Sequence, residues 1–202
     1  TDCQPLNAAV HSGATEICNN GIDDDCDPET TCFTTTHGGT TIDAAPFPGD
    51  EGVVGFYQYG SPNNASSNTG FEVVDRINQF LYEDPTDGKY YLVIFVDAAN
   101  DNDGGNTTMS VKGAFGASIT LMDDPSEGGS SVNATTGNGT LKWNWAPCCT
   151  DGAVIGPLTP PFCVTTTISS SSGIKGLSSM DGDQIISLPG AVKDPLTLCA
   201  NP

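Results

Sequence analysis

Asp23, Asp25 and Asp27 recur at every second position of the run Glu16-Ile17-Cys18-Asn19-Asn20-Gly21-Ile22-Asp23-Asp24-Asp25-Cys26-Asp27. That spacing lets a tightly curled loop aim successive carboxylates at one hard cation, with Asp24 and Glu16 adding oxygens. Oxygen-only donors favour Ca²⁺, which accepts roughly six to eight such ligands, over transition metals. Without a cation the acids at 23, 24, 25 and 27 would repel one another, and binding the ion relieves this. The loop is not an EF-hand. With Asp23 as its first ligand, that motif would require glycine where Pro28 stands and glutamate where Thr34 stands.

A second candidate cation loop is Asp97-Ala98-Ala99-Asn100-Asp101-Asn102-Asp103, with Asp97, Asn100, Asp101 and Asp103 as its oxygen donors. It leaves the end of the most apolar run of the chain, so a rigid element would position it. Asp123, Asp124, Asp151, Asp181 and Asp183 read instead as turn residues. Of the 25 acids, 19 are aspartate, whose short side chain suits turns and cation loops better than helix surfaces.

The catalytic inventory is thin. His11 lies in the Cys-rich start and His37 in a Thr/Gly stretch, and neither neighbours a nucleophile elbow or a zinc-protease helix motif. The expectation is a protein that is not an enzyme. Trp143 and Trp145, with Tyr57, Tyr59, Tyr90 and Tyr91, would make a sugar-stacking platform if exposed, but paired aromatics on one strand face more often build a core.

The acidic run resembles the metal-binding motif of MopE-related extracellular bacterial proteins, of the form E-x-C-x-N/D-G-x-D-D/N-D-C-D. Glu16, Cys18, Gly21, Asp23, Asp24, Asp25, Cys26 and Asp27 match it, over about a dozen residues. The resemblance implies calcium binding in an extracellular setting and no catalysis. In overall character, though not in aligned motifs, the chain also resembles the calcium-binding, glycosylated extracellular nanofibres of environmental microbes.

The remaining composition bears on setting and partners. The 202 residues carry 25 acids against six bases, a net charge of −19, which opposes binding to nucleic acid or anionic lipid. The longest apolar run, Tyr90 to Val96, is far short of the roughly 20 residues of a membrane helix, so no membrane insertion is expected. Eight cysteines (Cys3, Cys18, Cys26, Cys32, Cys148, Cys149, Cys163 and Cys199) with no CxxC pair point to disulfides. Cys148 and Cys149 are not expected to bond each other, because so small a ring strains the peptide; Cys163 and Cys199 are their plausible partners. The chain opens at Thr1 without a leader pattern, as expected of a processed secreted chain. Four sequons, at Asn64, Asn106, Asn133 and Asn138, mark candidate N-glycan sites.

The scaffold that must position these residues has little room for long helices, because the chain holds 24 glycines and 14 prolines. Residues 1–41 form a Cys/Asp-rich calcium-binding module that ends in a Thr-rich linker or donated strand, followed by a sandwich domain over 42–202. Strands are expected at Val53–Tyr59, Tyr90–Asp97, in two pieces over Met109–Met122, at Leu141–Trp145, Cys163–Ser169, Gln184–Leu188 and Leu196–Cys199. Over Glu72–Tyr82 the apolar spacing is helical, but the stretch runs into a hairpin onto Tyr90, which favours strand for its second half. The fold class is therefore all-β: an antiparallel β-sandwich of immunoglobulin or jelly-roll type behind a small disulfide-stapled loop module. The function expected is that of an extracellular Ca²⁺-binding glycoprotein with a structural role, assembling with itself into a filament, sheath or surface layer. The rival is a secreted adhesin or carbohydrate-binding module.

Overall fold

The computed structural model describes residues 3–18, 22–27, 30–60, 67–99 and 102–201. Among these, fourteen strands form two packed sheets. The first sheet holds β1 (Cys32–His37), β2 (Thr40–Asp43), β6 (Gly105–Lys112), β8 (Ser131–Asn133), β9 (Asn138–Trp145), β11 (Phe162–Ser172) and β14 (Leu196–Asn201), in the order β2-β1-β14-β11-β6-β9-β8, every pairing antiparallel. The second holds β4 (Arg76–Asp84), β5 (Lys89–Val96), β7 (Ser118–Met122), β10 (Asp151–Leu158), β12 (Gly176–Asp181) and β13 (Gln184–Ser187), in the order β13-β12-β4-β5-β10-β7. β3 (Phe47–Pro48) and β12 both run parallel to β4. The all-β sandwich expected from the sequence is the fold, and disulfides Cys3–Cys26 and Cys18–Cys32 staple the module before it.

The second sheet is buried on both faces, and this explains its sequence. On β5, Leu92, Ile94 and Val96 enter the core between the sheets, while Tyr91, Val93 and Phe95 enter a second cluster on the outer face. On β4, Ile77 and Leu81 face inward and Phe80 and Tyr82 outward. Apolar residues therefore occur at both parities, which breaks the period of two and imitates helical spacing. As expected, the second half of Glu72–Tyr82 is strand, within β4.

The outer cluster is covered by a single helical turn, α1 (Val53–Phe56), where the sequence had suggested a strand. Val53, Phe56 and Tyr57 lie at i, i+3 and i+4 and are buried, while Val54 faces solvent. Asp84 accepts the free N–H of Val53 at 2.8 Å and those of Thr86 and its hydroxyl at 2.8 and 2.5 Å, fixing the turn to the β4–β5 hairpin.

The Thr-rich stretch expected as linker or donated strand forms β1 and β2, with β1 paired to β14 of its own chain. Branched threonines favour extended backbone, and Gly38 and Gly39, at φ +56° and +78°, supply the two positive-φ positions of a tight hairpin turn. β10 and β12 carry no clear strand pattern in the sequence, because Gly and Pro interrupt the first and buried serines dilute the second.

The cysteine expectation for the C-terminal half is corrected. Cys163 and Cys199 are register partners on β11 and β14, 4.1 Å apart at Cα, and bond each other. Cys148 and Cys149 then close on themselves in a turn in which the Cys149 N–H donates to the Ala146 carbonyl at 2.9 Å.

Candidate metal centre

In the N-terminal module the two disulfides hold a loop around Glu16. Its Oε2 accepts the backbone N–H groups of Asp24 and Asp25 at 2.7 and 3.2 Å, so this carboxylate reaches across the loop and sits over the acidic run. Alternation then sorts the aspartates. Asp23 and Asp25 share a side with Glu16, and one carboxylate oxygen from each of the three lies within 4.8 Å of the others. Asp24 turns the opposite way and is buried, its Oδ2 accepting the Ile17 N–H at 3.3 Å while its carbonyl accepts the His11 N–H at 2.9 Å. Cys26, at φ +59°, reverses the chain, and Asp27 lies outside the three-carboxylate group. Asp25 is itself braced, accepting the Asp27 N–H at 2.9 Å and the Thr30 hydroxyl at 2.8 Å.

All three converging donors are oxygens. The module's four cysteines are oxidised in disulfides and offer no thiolate, and neither histidine joins the group. This donor set suits a hard cation; copper would call for imidazole or sulfur.

One family model matches residues 2–30. The family model is described as "Putative metal-binding motif", under the name Cu-binding MopE, and it spans the stapled module alone. No curated protein and no solved structure matches the chain. The resemblance carried by Glu16 through Asp27 is thus found again by an independent comparison, and it supports metal binding for this segment. Its name refers to copper, whereas the donors gathered here are carboxylates.

The second loop expected to bind a cation is organised differently. Asp97, at φ +65°, turns its carboxylate into the fold: Oδ1 accepts the N–H groups of Asp75 and Ala98 at 2.8 and 2.9 Å, and Oδ2 accepts the indole N–H of Trp145 at 2.7 Å. Asp97 therefore ties the end of β5 to β9 and to the segment before β4. Asp103 is exposed, and Asn100 and Asp101 lie outside the described residues. Among the described residues, neither Asp97 nor Asp103 joins a three-carboxylate group.

Such a group does form where sequence reading saw only turns. Asp123 and Asp124 leave β7, Asp151 opens β10, and an oxygen of each lies within 4.8 Å of the others. Asp123 is fully buried and Asp151 is 1% exposed. The Asp123 N–H donates to the Gly152 carbonyl at 3.1 Å, and its Oδ2 accepts the Tyr57 hydroxyl at 3.1 Å. Residue 152 must be glycine for this approach, because a Cβ there would collide with the Ile94 carbonyl and the Tyr57 hydroxyl. The Tyr59 hydroxyl donates to Asp124 Oδ1 at 3.4 Å. Burial, reinforced by the negative charge of Asp151, pushes the Asp123 carboxyl up to about 8 although the Tyr57 hydrogen bond works against it. The Tyr57 hydroxyl is raised well above its ordinary value by burial, then by the charge of Asp123. The signal that could have found this site is the Asp-Asp pair at the end of an apolar strand, but its third member lies 27 residues on and only the β7–β10 pairing brings it close.

Of the sequons, Asn106, Asn133 and Asn138 are exposed, Asn133 and Asn138 facing each other across β8–β9; Asn64 lies outside the described residues. Trp143 and Trp145 are 2% and 4% exposed and belong to the core, so they form no sugar-stacking platform. No helix of the described residues is long and apolar enough to cross a membrane.

Proposed function

We propose that the chain is an extracellular, N-glycosylated, Ca²⁺-binding protein with a structural rather than catalytic role, and that it assembles with itself into a filament, sheath or surface layer. The observation that carries the reading is the Glu16–Asp23–Asp25 group: carboxylates alone, held together by two disulfides, inside the segment that matches a metal-binding motif. Disulfides are consistent with an oxidising, extracytoplasmic setting.

Charge and open strand edges support the self-association reading. A chain carrying −19 repels its copies, and bound Ca²⁺ lowers that repulsion. The outer strands β2 and β13 each leave one side unpaired among the described residues, which is the ordinary template for strand addition. Because β1 is paired at home, the contact would use an edge rather than a donated β1.

The test is negative-stain microscopy and sedimentation of the glycosylated, oxidised chain in Ca²⁺, before and after EGTA. Ordered assemblies that loosen on chelation are expected. Dispersed monomers in both conditions would overturn the assembly reading. Separately, a titration showing Cu²⁺ bound at the module with no Ca²⁺ binding would overturn the choice of ion.

A further inference from the structure

We propose that the sandwich itself holds a second divalent-cation site, selective for Ca²⁺ by its donors and built by Asp123, Asp124 and Asp151. It is independent of the N-terminal module, and its argument does not use that module's motif.

The spacing fits one ion. Ca²⁺–oxygen bonds of about 2.4 Å place two ligands of the same ion up to roughly 5 Å apart, and the three carboxylates offer oxygens within 4.8 Å of one another. A cluster of acids is common without an ion, so a second observation decides the matter. Asp123 is fully buried, and among the described residues its Oδ1 accepts no hydrogen bond. Buried polar atoms are nearly always satisfied, and a carboxylate oxygen is among the most costly to leave bare. The charges that face Asp123 are those of Asp151 and Asp124, which are negative, so its neighbours deepen the need for a positive ion.

The surroundings suit a hard cation. Tyr57 and Tyr59 bring hydroxyl oxygens to Asp123 and Asp124, and the Cys148–Cys149 pair, which precedes Asp151 in sequence, is oxidised and provides no thiolate. A recess of about 210 Å³ lined by Met122, Asp124, Pro125 and Gly128 opens beside the half-buried Asp124, so this member of the group borders solvent-accessible space. Once bound, the ion would join the exit of β7, the start of β10 and the Tyr57–Tyr59 segment that covers the outer cluster. It would act as a rivet through the second sheet.

Terbium luminescence distinguishes this site from the first. Residues 1–41 contain no tryptophan or tyrosine. At the proposed site the Tyr57 hydroxyl bonds Asp123, and the Trp143 indole donates to the Gly152 carbonyl at 3.0 Å, so both can pass excitation energy to a bound Tb³⁺. The full oxidised chain, titrated with Tb³⁺ and excited through its aromatic side chains, is expected to emit and to lose that emission when Ca²⁺ is added. Asp124→Asn and Asp151→Asn are each expected to reduce the emission at least tenfold, whereas Asp23→Asn with Asp25→Asn leaves it in place. Near-UV circular dichroism checks folding; should Asp151→Asn fail to fold, the half-buried Asp124→Asn decides alone. A folded wild-type chain that gives no sensitised emission would overturn the proposal. So would emission that Ca²⁺ does not displace, or that survives Asp124→Asn in a folded chain. Loss of emission only in the Asp23/Asp25 variant would overturn it as well, assigning the ion to the module.

Discussion

The chain gathers three carboxylates in two places by opposite means. In the module, Glu16, Asp23 and Asp25 lie within ten residues, partly exposed, on a loop held by two disulfides. In the sandwich, Asp123, Asp124 and Asp151 come from two strand ends and are mostly buried, with position set by β-sheet pairing. Covalent links can impose a donor geometry on a segment with almost no core of its own; a large core can impose one on residues far apart in sequence. The first arrangement is local and depends on its staples, the second is non-local and depends on the fold, so each should fail under a different injury.

The largest effect is expected from removing the staples. Replacing Cys3, Cys18, Cys26 and Cys32 with serine deletes two disulfides, each worth about 2–5 kcal/mol in small stapled units. The module should become protease-sensitive and its Ca²⁺ affinity, measured by calorimetry, should fall by about 100-fold or more, because site and fold form together. Sandwich emission from Tb³⁺ should persist; its loss would mean that the two regions are not independent.

Next comes the buried clamp of the sandwich. Asp97→Ala leaves the Trp145 indole N–H and the Asp75 N–H without their acceptor, and should destabilise the chain by about 3 kcal/mol in urea denaturation. Calcium affinity at the module should be unchanged. A midpoint unaffected by this substitution would argue that Asp97 belongs to a cation loop rather than to the core.

A smaller effect belongs to Asp84, whose carboxylate fixes α1 over the outer cluster; Asp84→Ala should cost about 1–2 kcal/mol. Burial would raise this carboxyl, but hydrogen bonds from the Thr86 hydroxyl and from the N–H groups of Val53 and Thr86 outweigh burial and hold it below its ordinary 3.8. Its contribution is therefore complete above that value and is lost as pH falls through the lower folded value. Thermal midpoints of wild type and variant should converge on acidification below about pH 4, and a gap that stays constant with pH would contradict the assignment. The smallest effect is expected at the surface. Thr135→Ala removes the Asn133 sequon but keeps the turn in which Asn133 accepts the Thr135 and Thr136 N–H groups, so it should remove one glycan by mass and alter stability by less than about 0.5 kcal/mol.

What could be read from the sequence follows the same division between local and non-local. Asp23 and Asp25 were legible because ligand spacing, cysteines and motif coincide within a dozen residues; Asp24 and Asp27 matched the same pattern, yet alternation turns Asp24 inward and the reversal at Cys26 leaves Asp27 outside. The β9 alternation of Leu141, Trp143 and Trp145 gave the core correctly, since that strand is buried on one face only. Where both faces are buried the period vanishes, as on β4, and short apolar turns such as α1 look like strands. Disulfide closure at Cys148–Cys149 was hidden because the pairing of Cys163 with Cys199 depends on the β11–β14 register. Asp151 was hidden for the same reason, as its neighbours are set by topology and not by spacing.

Native mass spectrometry of the oxidised, deglycosylated full chain in Ca²⁺ tests the central claim most directly, by counting ions. The wild type should carry two Ca²⁺, the Asp23→Asn/Asp25→Asn variant one, the Asp124→Asn/Asp151→Asn variant one, and the combination none. A folded wild-type chain that carries no Ca²⁺ at millimolar concentration would contradict the account.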